Sequence, residues 1–392
     1  MLNTIKYVIE KDKKFAIGLM SGTSLDGVDA CIVEIKGSHK ETEIKLIDFI
    51  TLEYTKSEKE RILNLCNVNT SKVDEICFMN TYLGNKMGQA ALEVCRKSKI
   101  DIRNIDFISS HGQTIYHMPN EHSTFQIGEL ANIAAVTGCL TVGDFRPSDM
   151  AYGGQGAPLV PYIDYIMFSD KYKGRVLLNL GGIGNITVLK PNGKEEDVWG
   201  FDTGPANVLI DAIVKIITGG NMSYDDGGNM AMMGSIDELW LEDMIINDEY
   251  LNKKPPKSTG REYYTTELAK KLYDKGVERD LKNFDILATI TAFTAKTVQN
   301  QLEQFVLNEC EIDELYVSGG GAHNEMIMKL LSKYINADVR NVDKLNFSGD
   351  AKEAIAFAIL GNEFLCGNSN NIPSVTGSDR KVIMGKLVLP TV

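Results

Sequence analysis

Two glycine-centred turns, each set between a pair of extended apolar segments, recur roughly 160 residues apart, a spacing far too long for a solenoid repeat. The first runs from Phe15–Met20 through Ser21-Gly22-Thr23-Ser24-Leu25-Asp26-Gly27 into an extended segment from Val28 to Ile35. The second runs from Arg175–Leu180 through Gly181-Gly182-Ile183-Gly184-Asn185 into Ile186–Lys190. A chain that opens each half with the same hairpin is constrained to two similarly built halves. Strand-like and helix-like segments alternate in both, which predicts an α/β fold.

In the first half, Ile44–Tyr54 extends the opening sheet. Ser57–Asn67 and Ser71–Ser98 read as helices, with Ser71 as the cap of the second. Phe107–Ser110 is a short buried strand leading into Ser110-His111-Gly112-Gln113-Thr114, then come a helix over Ile127–Thr137 and a strand over Leu140–Asp144. From Asp144 to Pro161 the chain carries Pro147, Gly153, Gly154, Gly156, Pro158 and Pro161, the composition of a domain crossing. The expected division is therefore a first domain over 1–142, joined by the tail 370–392, and a second over 143–369. In the second half the hairpin is followed by a further strand, the polar segment Gly200–Asn207 and a helix over Asn207–Thr218. A strand over Leu315–Ser318 then ends in Gly319-Gly320-Gly321, and helices are expected over Asn324–Tyr334 and Ala351–Leu365.

The chain has 392 residues, 43% hydrophobic and 24% charged, as a soluble globular protein of two domains would. A formal charge of −12 argues against a nucleic-acid partner but leaves a local phosphate site open. Seven cysteines, none in a C-x-x-C pair, read as free thiols in a reducing compartment rather than a disulfide frame or zinc site. Met1–Lys14 is charged and has no apolar core, so it is not a signal peptide, and no apolar run is long enough to span a bilayer. The expected location is the cytoplasm.

The turns carry the chemistry. Glycines let backbone N–H groups approach an anion, and Ser21, Thr23 and Ser24 add hydroxyl donors. An acid, Asp26, beside an anion makes sense with a divalent cation between them. The chain contains no G-x-x-x-x-G-K-[ST] loop and no protein-kinase signature. Gly181–Gly184 leads into an extended segment rather than a helix, so a dinucleotide fingerprint fails its context test.

Two such hairpins followed by a strand–glycine–helix loop resemble the actin, sugar-kinase and heat-shock-chaperone ATPase superfamily. The resemblance implies a two-domain actin-like fold, a ribonuclease H-like unit used twice, with an active-site cleft between the domains. It implies that ATP phosphates are held by Ser21, Gly22, Thr23, Ser24, Leu25, Asp26, Gly27 and Val28 and by Gly181, Gly182 and Asn185, and that Gly319, Gly320 and Gly321 take the adenosine.

The resemblance narrows with further motifs: Met20–Gly27, Ser110–Thr114, Asp144-Phe145-Arg146, Gly153-Gly154-Gln155-Gly156-Ala157-Pro158-Leu159-Val160-Pro161, Asn179–Asn185, Gly200–Asn207 and Pro256–Glu262. Together they resemble the 1,6-anhydro-N-acetylmuramic acid kinases, from about Phe15 to about Gly385. One departure is Pro147-Ser148 after Arg146, where some members carry more arginines. The family resemblance implies a cytoplasmic homodimer that uses ATP and Mg2+ to recycle a cell-wall amino sugar.

The sugar of such a kinase has no free 6-hydroxyl, because O6 is tied to C1. Water must attack C1 while O6 attacks the γ-phosphorus, which calls for a carboxylate base, as in glycoside hydrolysis. Asp202, in a glycine-flanked segment before a helix, reads equally as a local turn aspartate or as that base, and the resemblance selects the base. Asp26 is either a turn acid or a Mg2+ contact through water. His111 and Gln113 either line the sugar pocket or finish a buried strand. Arg146 is either an interdomain ion pair or a bidentate partner for the lactyl carboxylate. Glu353 reads as a solvated helix residue, while the resemblance makes it a sugar contact. Lys257 and Arg261 face either phosphate or a neighbouring chain, and Asp225-Asp226-Gly227-Gly228 reads as a loop. Two other functions stay open: a kinase for another anhydrosugar such as levoglucosan, and a chaperone-like or regulatory ATPase module.

Overall fold

The computed structural model describes residues 2–22, 24–260, 262–342 and 351–391. The chain divides into two compact units, Met1–Met167 with Asp350–Val392, and Phe168–Gly349.

The first unit is built on strands β1 (Lys13–Ser21), β2 (Gly27–Lys36), β3 (Glu43–Glu53), β4 (Phe107–Met118), β5 (Ser123–Ile127) and β6 (Thr141–Gly143). β1 pairs antiparallel with β2 and β2 with β3, whereas β1–β4 and β4–β6 are parallel. β1 and β2 are buried along nearly their whole length, because helices cover both faces. One is the helix Val73–Ser98, which sets Met79, Leu83, Met87, Ala90 and Val94 on a single buried stripe. Its N-cap position is Lys72, without a side-chain cap bond, so the expected Ser71 cap is not used. Helix Lys56–Leu65 does have a full capping box, in which the Thr55 hydroxyl accepts from Glu58 N and the Glu58 carboxylate accepts from Thr55 N.

The second unit repeats the plan with β7 (Arg175–Leu180), β8 (Ile183–Leu189), β9 (Trp199–Pro205), β10 (Glu314–Ser318) and β11 (Asp338–Asn341). Its order is β11-β10-β7-β8-β9, with β7–β8 and β8–β9 antiparallel and β7–β10 and β10–β11 parallel. The first unit's core order, β6-β4-β1-β2-β3, is the same arrangement. The internal repeat inferred from the two hairpins is therefore a repeat of topology. Helix Asn283–Phe305, buried almost all round from Ile286 to Ala295, forms the centre of this unit's core with Trp240, Leu241 and Ile213.

The chain then returns to the first unit through helix Lys352–Cys366 and strand β12 (Lys386–Val388), which pairs antiparallel with β6. The helix packs on β1, β2 and β4. The contact with β1 is close enough that a Cβ at Gly18 would stand 1.8 Å from Ala354 O, so only glycine fits there.

The expected domain boundary needs correction. Residues 143–167 and helix Lys352–Cys366 belong to the first unit, not the second. The glycine- and proline-rich stretch resembles a linker in composition, yet it is pinned down by Asp149, which is fully buried. Its Oδ2 accepts from Gly156 N at 2.9 Å, and its Oδ1 accepts from Asn371 Nδ2 and Thr376 Oγ1, both at 2.8 Å. One carboxylate thus ties this stretch to the C-terminal tail.

Asp149→Ala should strip partners from three buried donors and destabilise the protein by about 3 kcal/mol. Urea unfolding measures this, and a loss below about 1 kcal/mol would mean that the latch contributes little.

Candidate active site

In the first unit, β1 and β2 hold the turn Gly22–Asp26 between Met20 and Asp29, which are partners in the register. Leu25 has φ of 56° and donates its N–H to Gly22 O at 3.3 Å. Its side chain is 4% exposed and that of Val28 fully buried, so these two can offer a ligand only backbone. Ser24 and Asp26 are exposed, and the Asp26 carboxylate lies 3.8 Å from Lys59 Nζ. Thr23 lies outside the described residues. Ser21 is buried: its hydroxyl lies 2.5 Å from Gln113 Oε1 and 2.9 Å from Tyr54 OH. That hydroxyl anchors the hairpin base instead of projecting from it. Gln113, 1% exposed, also donates to Thr114 O.

His111 sits within β4 rather than beyond its end, 4% exposed, with its ring 4.7 Å from that of Phe357. Nδ1 meets Gly112 O at 3.0 Å, and Nε2 accepts from Arg146 Nε at 2.9 Å. Burial and the Arg146 charge push the imidazole down to about 3, so it is neutral, with its proton on Nδ1. The Arg146 Nη1 donates to Gly156 O at 2.7 Å. The guanidinium is thus aimed by two acceptors of its own unit.

Glu353 lies beside this group. Burial pushes its carboxyl up, and the charge of Asp29 adds to the rise, against Lys352 and Arg146. Solvent still reaches it, and a Cβ on Gly22 would stand 4.0 Å from its Oε2. Gly22, Asp29, Arg146, His111 and Glu353 therefore form one constellation. Asp29 lies two residues beyond the first glycine motif, in the segment that reads simply as a strand. Thr51 Oγ1 donates to it at 2.6 Å.

In the second unit the strand register aligns the polar groups. Ser318, Asn179, Asn185 and Asp202 are successive Cα partners across β10, β7, β8 and β9. Asp202 is thus on a strand, not in the turn expected for it, because Gly200–Pro205 completes the sheet edge beside β8. Its Oδ2 accepts from Thr259 N at 2.9 Å, and its carbonyl accepts from Tyr250 OH at 2.7 Å. Burial raises its pKa above the usual aspartate range, Thr259 N–H pulls it back, and Glu262 pushes it further up.

The turn Gly181-Gly182 is fastened to the helix Asn207–Ile217: Asn207 Nδ2 donates to Leu180 O at 3.0 Å and Gly181 O at 2.8 Å, and Ala206 N donates to Gly182 O at 3.0 Å. Asn207 closes the Gly200–Asn207 motif but was not assigned a role. Gly319, at φ 80°, would drive a Cβ to 2.7 Å from Asn179 Oδ1, and Gly320 opens next to the Asn207 amide. The second hairpin and the third glycine loop thus meet around Asn179 and Asn207. Asp225 accepts from Met230 N and Ala231 N, as a loop-forming aspartate does. Lys257 points inward, and Arg261 lies outside the described residues.

Among the described residues no group of three or more His, Cys, Asp or Glu side chains is placed to hold a metal ion, and no helix is long and apolar enough to cross a membrane. All seven cysteines are free; Cys31, Cys95 and Cys139 are buried.

The repeated strand order, with a glycine hairpin opening each unit, defines a two-sheet α/β protein built from one topology used twice. A family profile described as anhydro-N-acetylmuramic acid kinase matches residues 14–390. The anhydro-N-acetylmuramic acid kinase of Caldanaerobacter subterraneus subsp. tengcongensis is 42% identical over 391 residues, covering 97% of this chain and 98% of the relative. That of Clostridioides difficile is 42% identical over 379 residues, covering 95% and 98%. That of Francisella tularensis subsp. novicida is 40% identical over 379 residues, with the same coverage. The chain belongs to the anhydro-N-acetylmuramic acid kinase family.

The neutrality of His111 has a consequence for stability. A histidine held at about 3 in the folded state and near 6.5 when unfolded contributes fully above pH 6.5. The contribution fades as pH falls toward 3, because the unfolded chain binds the extra proton. Between pH 7 and pH 5 this group should cost the fold roughly 2 kcal/mol. Urea titrations at the two pH values should show a smaller drop in His111→Gln than in the parent; equal drops would place the pH sensitivity elsewhere.

Proposed function

We propose that this protein opens the 1,6-anhydro ring of 1,6-anhydro-N-acetylmuramic acid and phosphorylates O6 at the expense of ATP. The observation that carries the reading is Asp202. It is a half-buried carboxylate of raised basicity, fixed by a backbone N–H and aligned with Asn185, within the Gly200–Asn207 segment that carries part of the family resemblance.

Asp202 takes a proton from a water that adds to C1. The C1–O6 bond breaks, its electron pair stays on O6, and O6 bonds to the γ-phosphorus as the bond to the ADP oxygen breaks. O6 needs no separate acid, since phosphorus captures the developing charge. Gly22, Ser24, Asp26, Gly27, Gly181 and Gly182 offer backbone and hydroxyl donors to the phosphates, and Gly319–Gly321 the surface for adenosine.

Mg2+ fits as an ion carried by the phosphates. The exposed Asp26, whose carboxylate lies 3.8 Å from Lys59 Nζ, would meet it through water. When bound, Mg2+ neutralises charge on the transferring phosphoryl group. Arg146, held by His111 and Gly156, recognises the lactyl carboxylate, and Glu353 with Asp29 contacts sugar hydroxyls. We assign the protein to the cytoplasm and to a homodimer on the strength of the family resemblance and the free thiols.

Asp202→Asn should retain ATP binding and lose about a hundred- to ten-thousand-fold in turnover. The assay is sugar-dependent ADP release with phosphate located on O6. Turnover near that of the parent would remove Asp202 from this role, and ADP release indifferent to any sugar would sink the kinase reading.

A further inference from the structure

Asp202 takes its carboxylate hydrogen bond from a loop, and that loop has an unusual anchor. Between the helix Glu238–Asn247 and Tyr263 the chain doubles back, so that Lys257 reaches the residues it left behind. Its Nζ donates to Tyr250 O and Leu251 O, each at 3.2 Å. The same ammonium lies 4.6 Å from the ring centroid of Tyr250, 5.0 Å from Phe305 and 5.7 Å from Phe201. Three aromatic faces and two carbonyls form a cage for one cation. Tyr250 and Leu251 are each 1% exposed, and Leu251 O also accepts from Gln301 at 3.0 Å, so the anchor points are part of the unit's core.

The backbone of the same stretch holds the aspartate. Lys257 O accepts from Asp202 N at 3.3 Å, and two residues on, Thr259 N donates to Asp202 Oδ2. One residue thus fixes the loop with its side chain and meets the base with its main chain. The Lys257 ammonium is turned into its own unit, where Tyr250, Leu251, Phe201 and Phe305 surround it.

We propose that Lys257 is a positioning residue for the reaction, clamping residues 257–259 against β9 so that Thr259 N–H holds the Asp202 carboxylate in place. The proposal rests on Asp202 being the base. Burial, opposed by Asp248 and helped by Lys253, lowers the ammonium to about 8, so at neutral pH the cage still holds a cation. The groups that face Asp202 are Glu262, Tyr250 and the Thr259 amide.

Lys257→Met keeps the apolar stem and removes the cation. It should lower kcat about ten- to a hundredfold through misplacement of the base, with KM for ATP and for the anhydrosugar changed no more than about twofold. Loss of the Thr259 hydrogen bond should also move the acidic limb of the kcat profile to higher pH, a change that mere loss of stability would not produce. Should Lys257→Met fail to fold, Thr259→Pro removes the same N–H without touching the cage and should give the same two effects. Parent-like kcat and an unmoved acidic limb in whichever variant folds would overturn the proposal. Asp202→Asn separates the two failures. If it is inactive while Lys257→Met behaves as the parent, only the positioning role falls; if it is active, the base assignment falls and the positioning role with it.

Discussion

The antiparallel register of β7, β8 and β9 is the constraint on which the candidate base depends. It makes Asn179, Asn185 and Asp202 partners in one row. A slip of one residue would turn every side chain of β9 to the other face, exchanging Asp202 for Phe201 or Thr203. Phe201 and Thr203 are 5% and 1% exposed, and Phe201 packs with Ile186 and Val188 in the core. Burial of these neighbours therefore fixes where the carboxylate stands. Once the register is set, Asn207 and Gly319 need only close the ends of the strands, and their contacts with Leu180, Gly181 and Asn179 do so.

The first unit solves a different problem, that of keeping charges near one another without waste. Desolvation by the groups packed around the Glu353 carboxyl, which solvent still reaches, raises it, and repulsion from Asp29 adds to the rise, so a proton or a cation is favoured nearby. Arg146 is the cation, but its guanidinium is itself pushed down by burial. A protonated His111 beside it would be a second positive charge in a poorly solvated place. The neutral ring instead offers Nε2 as an acceptor and turns a repulsion into a hydrogen bond. The histidine thus aims the arginine, and both of its ring nitrogens are already engaged within the protein.

Much of this was legible in the sequence where the signal was periodic or local. The two hairpins, the third glycine loop and the internal repeat follow from short apolar runs broken by glycine, and the structure has them in that order. The domain boundary was not legible, because glycine and proline mark both linkers and tightly latched loops; only the burial of Asp149 against residues 371 and 376 separates the two. β5 was missed because Ser123–Ile127 is half exposed and polar, and its strand state comes from pairing with β4. Their place in a motif groups Ser21, Leu25 and Val28 with the phosphate donors, and composition cannot tell that all three side chains face inward. Asn207 ends a motif and Asp29 lies just beyond one, where a local reading gives no reason to prefer them over their neighbours.

Burial, strand register and the loop at Thr259 all act on the Asp202 carboxylate. A carboxylate that must accept a proton from water benefits from burial, which raises its basicity, but burial carried too far would leave it protonated at neutral pH. Each unit of displacement corresponds to about 1.4 kcal/mol between the two states, so a single hydrogen bond is enough to matter. The opposing pull here comes from a backbone N–H, whose position depends on the path of the loop and not on a rotamer. Holding that path requires an anchor stronger than exposed loop residues provide. A caged ammonium bonded to two core carbonyls supplies it within the same short segment, so the setting of the Asp202 carboxylate and the anchoring of the loop are one structural decision.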